Sequence, residues 1–166
     1  CAVEPSSRCR SAMIARAFPD LPDFTVTPAT EADIPQLAEL NRQLMEDEVH
    51  PYPLPIDALR ARMARWIAGE YQVLVFRQGA RVAGYAVWRP EDRGAYLRHF
   101  FICRDQRRAG LGRAALILLR RDHLPKDLPL QIEATVWNTD AIAFWHAIGF
   151  KDFSLAMELK PSDPVT

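Results

Sequence analysis

One mixed α/β domain is the fold this sequence predicts, and three observations predict it. Runs rich in β-branched and aromatic residues occupy the middle of the chain, at Tyr71 to Phe76, Val82 to Trp88 and Ala95 to Cys103. Helical periodicity precedes them, and a strand–helix–strand–helix–strand alternation follows. Short turns in the first part predict antiparallel pairing, and helical crossovers in the second part predict parallel pairing. A length of 166 residues suits a single core.

Residues 1–23 carry Pro5, Pro19 and Pro22 without periodicity and are expected to be a poorly structured leader, with Met13 a candidate native start. The domain is expected over 24–160, with 161–166 as a tail. Phe24-Thr25-Val26-Thr27 alternates, as a first strand does. Thr30 or Asp33 is placed to cap a helix whose apolar stripe is Ile34, Leu37, Ala38, Leu44 and Met45. Pro51, Pro53 and Pro55 stiffen a loop. A second helix carries Ile56, Leu59, Met63, Trp66 and Ile67, with Gly69 as its stop.

Gly79 separates the first two central strands, and Pro90 to Gly94 forms the next turn. Gly110 to His123 reads as a helix with Leu111, Ala114, Ala115, Leu118 and Leu119 on one face. A strand over Leu130 to Val136, a helix over Asn138 to Ile148 and a last strand over Phe150 to Leu159 complete the chain. That last strand would sit at the sheet edge with Phe153, Leu155 and Met157 on one face. Few charges guard it, so its edge is expected to be covered by the leader or by a second copy of the chain, a homodimer being preferred.

Charge restricts function. Basic and acidic side chains balance at 21 each, which argues against a nucleic-acid binder held by bulk charge. No apolar run is long enough to span a membrane, and Arg8, Arg10 and Arg16 interrupt any signal core. Cys1, Cys9 and Cys103 fit neither a zinc site nor a disulfide framework, so no metal is expected and the cytoplasm is the expected compartment.

The densest chemical signal is Arg107-Arg108-Ala109-Gly110-Leu111-Gly112, between a buried strand and a helix. Amides at a helix start have no internal partner, the helix dipole adds positive charge, and glycine permits close approach, so such a turn can hold a pyrophosphate. A plain surface turn is the bland alternative. Gly110-x-Gly112-x-x-Ala115 also fits a dinucleotide fingerprint with Glu133 as its acidic partner, but five residues separate Gly110 from the strand and Glu133 lies inside its own strand. No Gly-Lys-Ser/Thr follows, which excludes a P-loop.

Arg107, Gly110 and Gly112 match the Arg/Gln-x-x-Gly-x-Gly/Ala motif of the GNAT acyltransferases. Asn138-x-x-Ala141 with Gly149-Phe150 matches a second element of that family, in order, and Val82-Ala83-Gly84-Tyr85 is similar to its third strand. The chain therefore resembles a GNAT N-acetyltransferase over about residues 24–159. The resemblance implies a mixed six-to-seven-stranded sheet with about four helices, and acetyl-coenzyme A as the acyl donor. It implies that Ile102 binds the pantetheine arm and that Arg107, Arg108, Ala109, Gly110, Leu111, Gly112 and Arg113 form the pyrophosphate turn. Asn138 would contact the arm near the thioester, with Ala141 and Trp145 also on the cofactor side.

Family members commonly transfer the acyl group directly to an amine that has lost its proton. They commonly carry a tyrosine as acid on the last helix; here Trp145 holds that position, and an indole cannot give up a proton. His99 and Glu133 are the candidate bases, His99 also readable as a hydrogen-bonded core histidine and Glu133 as lying on a face open to solvent. Cys103 is read as an inert buried thiol and His146 as surface. Glu46, Asp47 and Glu48 end the first helix, where the resemblance places the acceptor wall, and could attract a cationic amine. The acceptor is expected to be a small-molecule or peptide amine. A non-catalytic acyl-coenzyme A sensor is the alternative that the missing tyrosine raises.

Overall fold

A computed structural model describes residues 23–49, 52–159 and 161. The expected leader, apart from Asp23, lies outside the described residues, as does most of the tail. The alternation at Phe24 forms β1 (Phe24–Pro28), which pairs antiparallel with β2 (Gln72–Gln78). Between them lie a short 3-10 turn, α1 (Ile34–Asp47) and α2 (Ile56–Arg65). Both expected capping residues act together. The Thr30 amide and hydroxyl donate to Asp33 Oδ2 at 2.8 and 3.1 Å, a capping box at the turn that leads into α1. The end of α2 widens into a π turn (Trp66–Glu70), where Gly69 takes φ +126°, a left-handed value that suits glycine and stops the helix.

Strands β2, β3 (Arg81–Glu91) and β4 (Gly94–Ile102) form an antiparallel meander. α3 (Leu111–Asp122) then crosses over to β5 (Leu130–Ile132), which pairs parallel to β4, and α4 (Thr139–Ala147) follows. The sheet order is β1-β2-β3-β4-β5.

A β-bulge in β4 positions the site. Val87 faces His99 and the next residue, Trp88, faces Leu97, so Arg98 is the extra residue. The bulge shifts the side-chain phase. Ala95, Leu97 and Phe100 lie in the core that α3 and α4 cover with Leu111, Ala115, Leu119 and Trp145. Beyond the bulge, Phe101 joins Tyr85 and Val87 in the core on the opposite face, under Leu37, Leu44, Met63 and Trp66. Ala38, Met45 and Leu59 weld α1 to α2.

Three expectations are corrected. The sheet has five strands among the described residues, not six to seven. The strand expected over Leu130 to Val136 stops at Ile132, because β4 bends at its bulge and the two strands part. The last strand, expected over Phe150 to Leu159, does not form: Phe150 packs on the core, while 151–159 is fully exposed and joins no ladder. Alternation makes a segment competent for a strand, but only a paired neighbour makes it one, and β5 offers just three residues of edge.

Candidate active site

The motif turn begins where β4 ends. A short 3-10 turn (Arg104–Gln106) leads to Arg107, and Arg108 and Gly110 follow with φ of +66° and +79°. Gly110 is the N-cap of α3, in a conformation that costs glycine little and other residues more. The Arg107 amide reaches Arg104 O at 3.4 Å, and the next amide to find a backbone acceptor is that of Ala114, on Gly110 O at 3.1 Å. The amides of residues 108–113 bond to no acceptor among the described residues, and the side chains of Arg108 and Arg113 are exposed and make no ion pair there. Six donors at a helix start, with two uncommitted guanidiniums, suit a pyrophosphate.

Three side chains brace this turn. Gln106 is buried and donates to Val82 O at 3.1 Å. Arg107 donates from Nε to Ile102 O at 2.9 Å and from Nη2 to Asp47 Oδ2 at 2.5 Å, and stacks on Phe101. Arg104 reaches Asp47 and Glu46 from the same side. Arg107 thus ties the turn to β4 and to α1. Gly112 packs so closely that an added Cβ would lie 3.1 Å from the Phe144 ring and 3.8 Å from Ile102.

Beside the turn, the sheet opens. β4 and β5 pair only at Ala95–Leu130, Tyr96–Gln131 and Leu97–Ile132. Past the bulge, Arg98 to Ile102 have no partner on that side among the described residues. The chain after β5 swings away instead, and Trp137 ties it to the end of α1 by donating to Glu48 O at 2.8 Å. Glu133 is the first residue beyond the ladder. It is exposed, and the Tyr96 hydroxyl donates to its Oε2 at 3.1 Å. Burial, then the Glu133 charge, raises the Tyr96 phenol to about 12, so it remains a donor. Asn138 caps α4, accepting from the Ala141 amide at 3.2 Å.

His99 lies on the other face of β4. Its Nδ1 is 3.1 Å from the Tyr85 hydroxyl, and its ring stands edge-on to Trp66 and Tyr85. The residue keeps some surface, but its ring is enclosed. Desolvation, then the charges of Arg98 and Arg62, lowers its pKa to about 3. It is thus neutral near pH 7 and a poor proton acceptor. Tyr85 is raised well above its ordinary value, by burial first and then by the Glu48 charge. Trp145 is buried on the far face against Phe100, Phe144 and Phe150, which accounts for it as core.

The acidic trio is not an open cluster. Arg42 and Arg104 pair with Glu46, and Arg104 and Arg107 with Asp47. Burial pushes the Asp47 carboxyl up, but the two arginines outweigh it and hold it below its ordinary value. Among the described residues no group of three or more His, Cys, Asp and Glu gathers to hold a metal, and no helix is long and apolar enough to cross a membrane. Cys103 is half-buried with its thiol raised, by burial first. Tyr96, Asn41, Arg62 and Arg98 were not singled out from sequence, and Tyr85 only as part of a strand. The bulge supplies Arg98 and the packing of α1, α2, β3 and β4 supplies the others, and alternation alone discloses neither.

The profile of the acetyltransferase (GNAT) family matches residues 35–150, and the chain belongs to that family of acyltransferase enzymes. The family uses acetyl-coenzyme A as its donor. No curated protein sequence matches the chain. Among solved structures it is similar to a possible acetyltransferase from Clostridium difficile 630, with 15% identity, TM-score 0.67, and 85% of this chain and 99% of that one covered. It is also similar to an aminoglycoside N-acetyltransferase in complex with CoA, with 13% identity, TM-score 0.66 and coverages of 84% and 95%. A third is the ribosomal-protein-S18-alanine N-acetyltransferase from Escherichia coli, with 23% identity, TM-score 0.60 and 79% of each chain covered. Identities this low speak for the shared fold.

Proposed function

We propose that this enzyme transfers the acetyl group of acetyl-coenzyme A directly to a neutral amine in the opening between β4 and β5. The observation that carries this reading is the row of amides at 108–113 at the start of α3, without acceptors among the described residues and flanked by Arg108 and Arg113, which make no ion pair there. Those amides would take the pyrophosphate, and the β4 edge near Ile102 would take the pantetheine arm. Asn138 keeps its side-chain amide nitrogen to donate toward the arm while its oxygen caps α4. Bound there, acetyl-coenzyme A supplies an activated carbonyl.

The acceptor must lose a proton, since an alkyl ammonium has a pKa of about 10.4. Glu133 is the better-supplied base. Its carboxylate stands at the opening, the Tyr96 O–H steadies Oε2, and Oε1 is left to take a proton directly or through water. His99, lowered to about 3, orients Tyr85 instead. With Trp145 in the core, the coenzyme A thiolate leaves without help from that helix position.

The test is release of free thiol from acetyl-coenzyme A with a panel of amines, beside a thermal-shift measurement with coenzyme A. Thiol release with an acetylated product supports the transferase reading. Binding without turnover of any amine favours the sensor, and no thermal shift overturns both. Glu133→Gln should lower turnover without weakening coenzyme A binding.

The edge of β5, unpaired among the described residues, and the exposed Phe153, Leu155, Met157 and Leu159 support a homodimer in which 151–159 adds to the sheet of a second copy. A cytoplasmic location fits the reading.

A further inference from the structure

Arginines in this chain generally face carboxylates. Arg42, Arg60, Arg65, Arg77, Arg81, Arg89, Arg104, Arg107 and Arg121 all make ion pairs. Arg93, in the β3–β4 turn, and Arg120, which donates to the carbonyls of Pro125, Lys126 and Leu128, stand apart; the other exceptions fall in two places. One is Arg108 with Arg113, at the turn suited to phosphate. The other is Arg62 with Arg98, and among the described residues neither of these makes an ion pair. Arg62 Cζ lies 5.5 Å and Arg98 Cζ 5.6 Å from the centroid of the same buried ring, Trp66. Arg98 also lies 5.8 Å from Tyr71, on whose ring Arg89 stacks at 5.4 Å.

Two like charges against one indole repel each other. Burial and then the Arg98 charge lower the Arg62 pKa, and neither guanidinium makes an ion pair among the described residues. Stacking occupies the faces of the guanidiniums and leaves their in-plane N–H edges to fork onto a planar acceptor. A second observation points the same way. Asn41 is fully buried, its Oδ1 accepts from Arg62 at 3.4 Å, and its Nδ2 has no hydrogen-bond partner. The Asn41 amide is close enough to Tyr85 to steady the phenolate form, yet it reaches no acceptor at bonding distance. An idle buried donor beside two unpaired cations is what a carboxylate would satisfy.

We propose that Arg62, Arg98 and Asn41 form the specificity pocket of the acceptor, and that the acceptor is an amine carrying a carboxylate. This rests on the transferase reading, since it names the substrate of that same site. The three side chains come from α1, α2 and the bulged residue of β4, and Arg98 is one residue past the last β4–β5 pair. The neutral His99 floor adds no competing charge, and Arg104 and Arg107 already neutralise Asp47 nearby.

The test uses matched acceptors offered as free acid and as primary amide, namely β-alanine, γ-aminobutyrate and glutamate against their amides. Wild-type kcat/KM should favour the acids by about tenfold or more, and the preference should fall with salt. R62Q and R98Q should compress that ratio toward one by raising KM for the acids. R98K, which keeps the charge but loses the fork, should fall between. Retained thermal shift with coenzyme A shows that a variant is folded. Equal use of acid and amide by wild type, or an equal loss for both in the variants, overturns the pocket. If no amine is turned over, calorimetry with N-acetyl-β-alanine and its amide in the presence of coenzyme A still decides. Binding of the acid alone, lost in R98Q, upholds the pocket while the transferase reading fails; binding of neither overturns it.

Discussion

Asp47, at the last turn of α1, holds Arg107 of the motif turn at 2.5 Å across 60 residues of sequence. Asp47 also accepts from Arg104, so one carboxylate fastens both ends of the segment that leads into α3. The pair is partly exposed, and its direct energy is modest, about 1 kcal/mol after solvent screening. Its geometric role is larger, because the same Arg107 grips Ile102 O. Asp47→Asn should leave the fold intact and weaken coenzyme A binding by about tenfold, as the turn loses its brace. Calorimetric titration of both proteins measures this. Unchanged affinity would detach Asp47 from the donor site.

Gly110 meets nothing within 4 Å of an added Cβ, so a substitution there acts through the backbone alone. Its φ of +79° costs a β-branched residue about 1–2 kcal/mol. Gly110→Val should therefore fold with a lowered Tm and bind coenzyme A at least tenfold more weakly, since relaxing φ re-aims the donors. A variant with full affinity would mean that the amides at 108–113 are not the phosphate cradle.

Much of the fold was legible because local chemistry and tertiary context agree. Thr30 and Asp33 were readable as caps, Gly69 as a stop and Gly110 as a helix start, and each acts so. The motif turn was legible for the same reason. The acceptor side was not. His99 was readable as a base, but its burial depends on Trp66 and Tyr85, which arrive from a helix end and a neighbouring strand. Glu46 and Asp47 looked like bait for a cation until the fold brought Arg104 and Arg107 against them. The segment 151–159 has the pattern of a strand, yet its state is decided by what lies beside it.

Trp145 stands in for the family's tyrosine in sequence and packs against Phe100, Phe144 and Phe150 in space. A residue held this way contributes volume. Trp145→Phe should cost about 1–3 kcal/mol and leave kcat within about twofold. Denaturant melts and steady-state rates separate the two effects. A loss of kcat by more than about tenfold with stability unchanged would give the indole a part in the reaction.

Phe153, Leu155, Met157 and Leu159, on the segment that follows α4, are between 64% and 88% exposed. So much apolar surface on one extended segment favours association. Light scattering should find a dimer at micromolar concentration, and Leu155→Lys with Met157→Lys should shift it to monomer. A monomeric wild-type chain would remove the homodimer.

His99 gives the fold a pH dependence whose sign follows from its surroundings. Its ordinary pKa is 6.5 and its folded value about 3, with desolvation the main cause. Between these values the unfolded chain takes up a proton that the folded chain refuses. Stability is therefore full above about pH 6.5 and falls as the pH drops toward 3, by at most about 1.4 kcal/mol per unit. Asp47 and Glu39 are lowered carboxyls, so their contributions are lost only as the pH falls below their ordinary values of 3.8 and 4.5. The interval from pH 7 to 5 therefore isolates His99. Urea melts should show the wild type losing about 2 kcal/mol across it. His99→Gln should lie lower in absolute stability and nearly flat over the same range. A slope that survives the substitution would place its origin in another group.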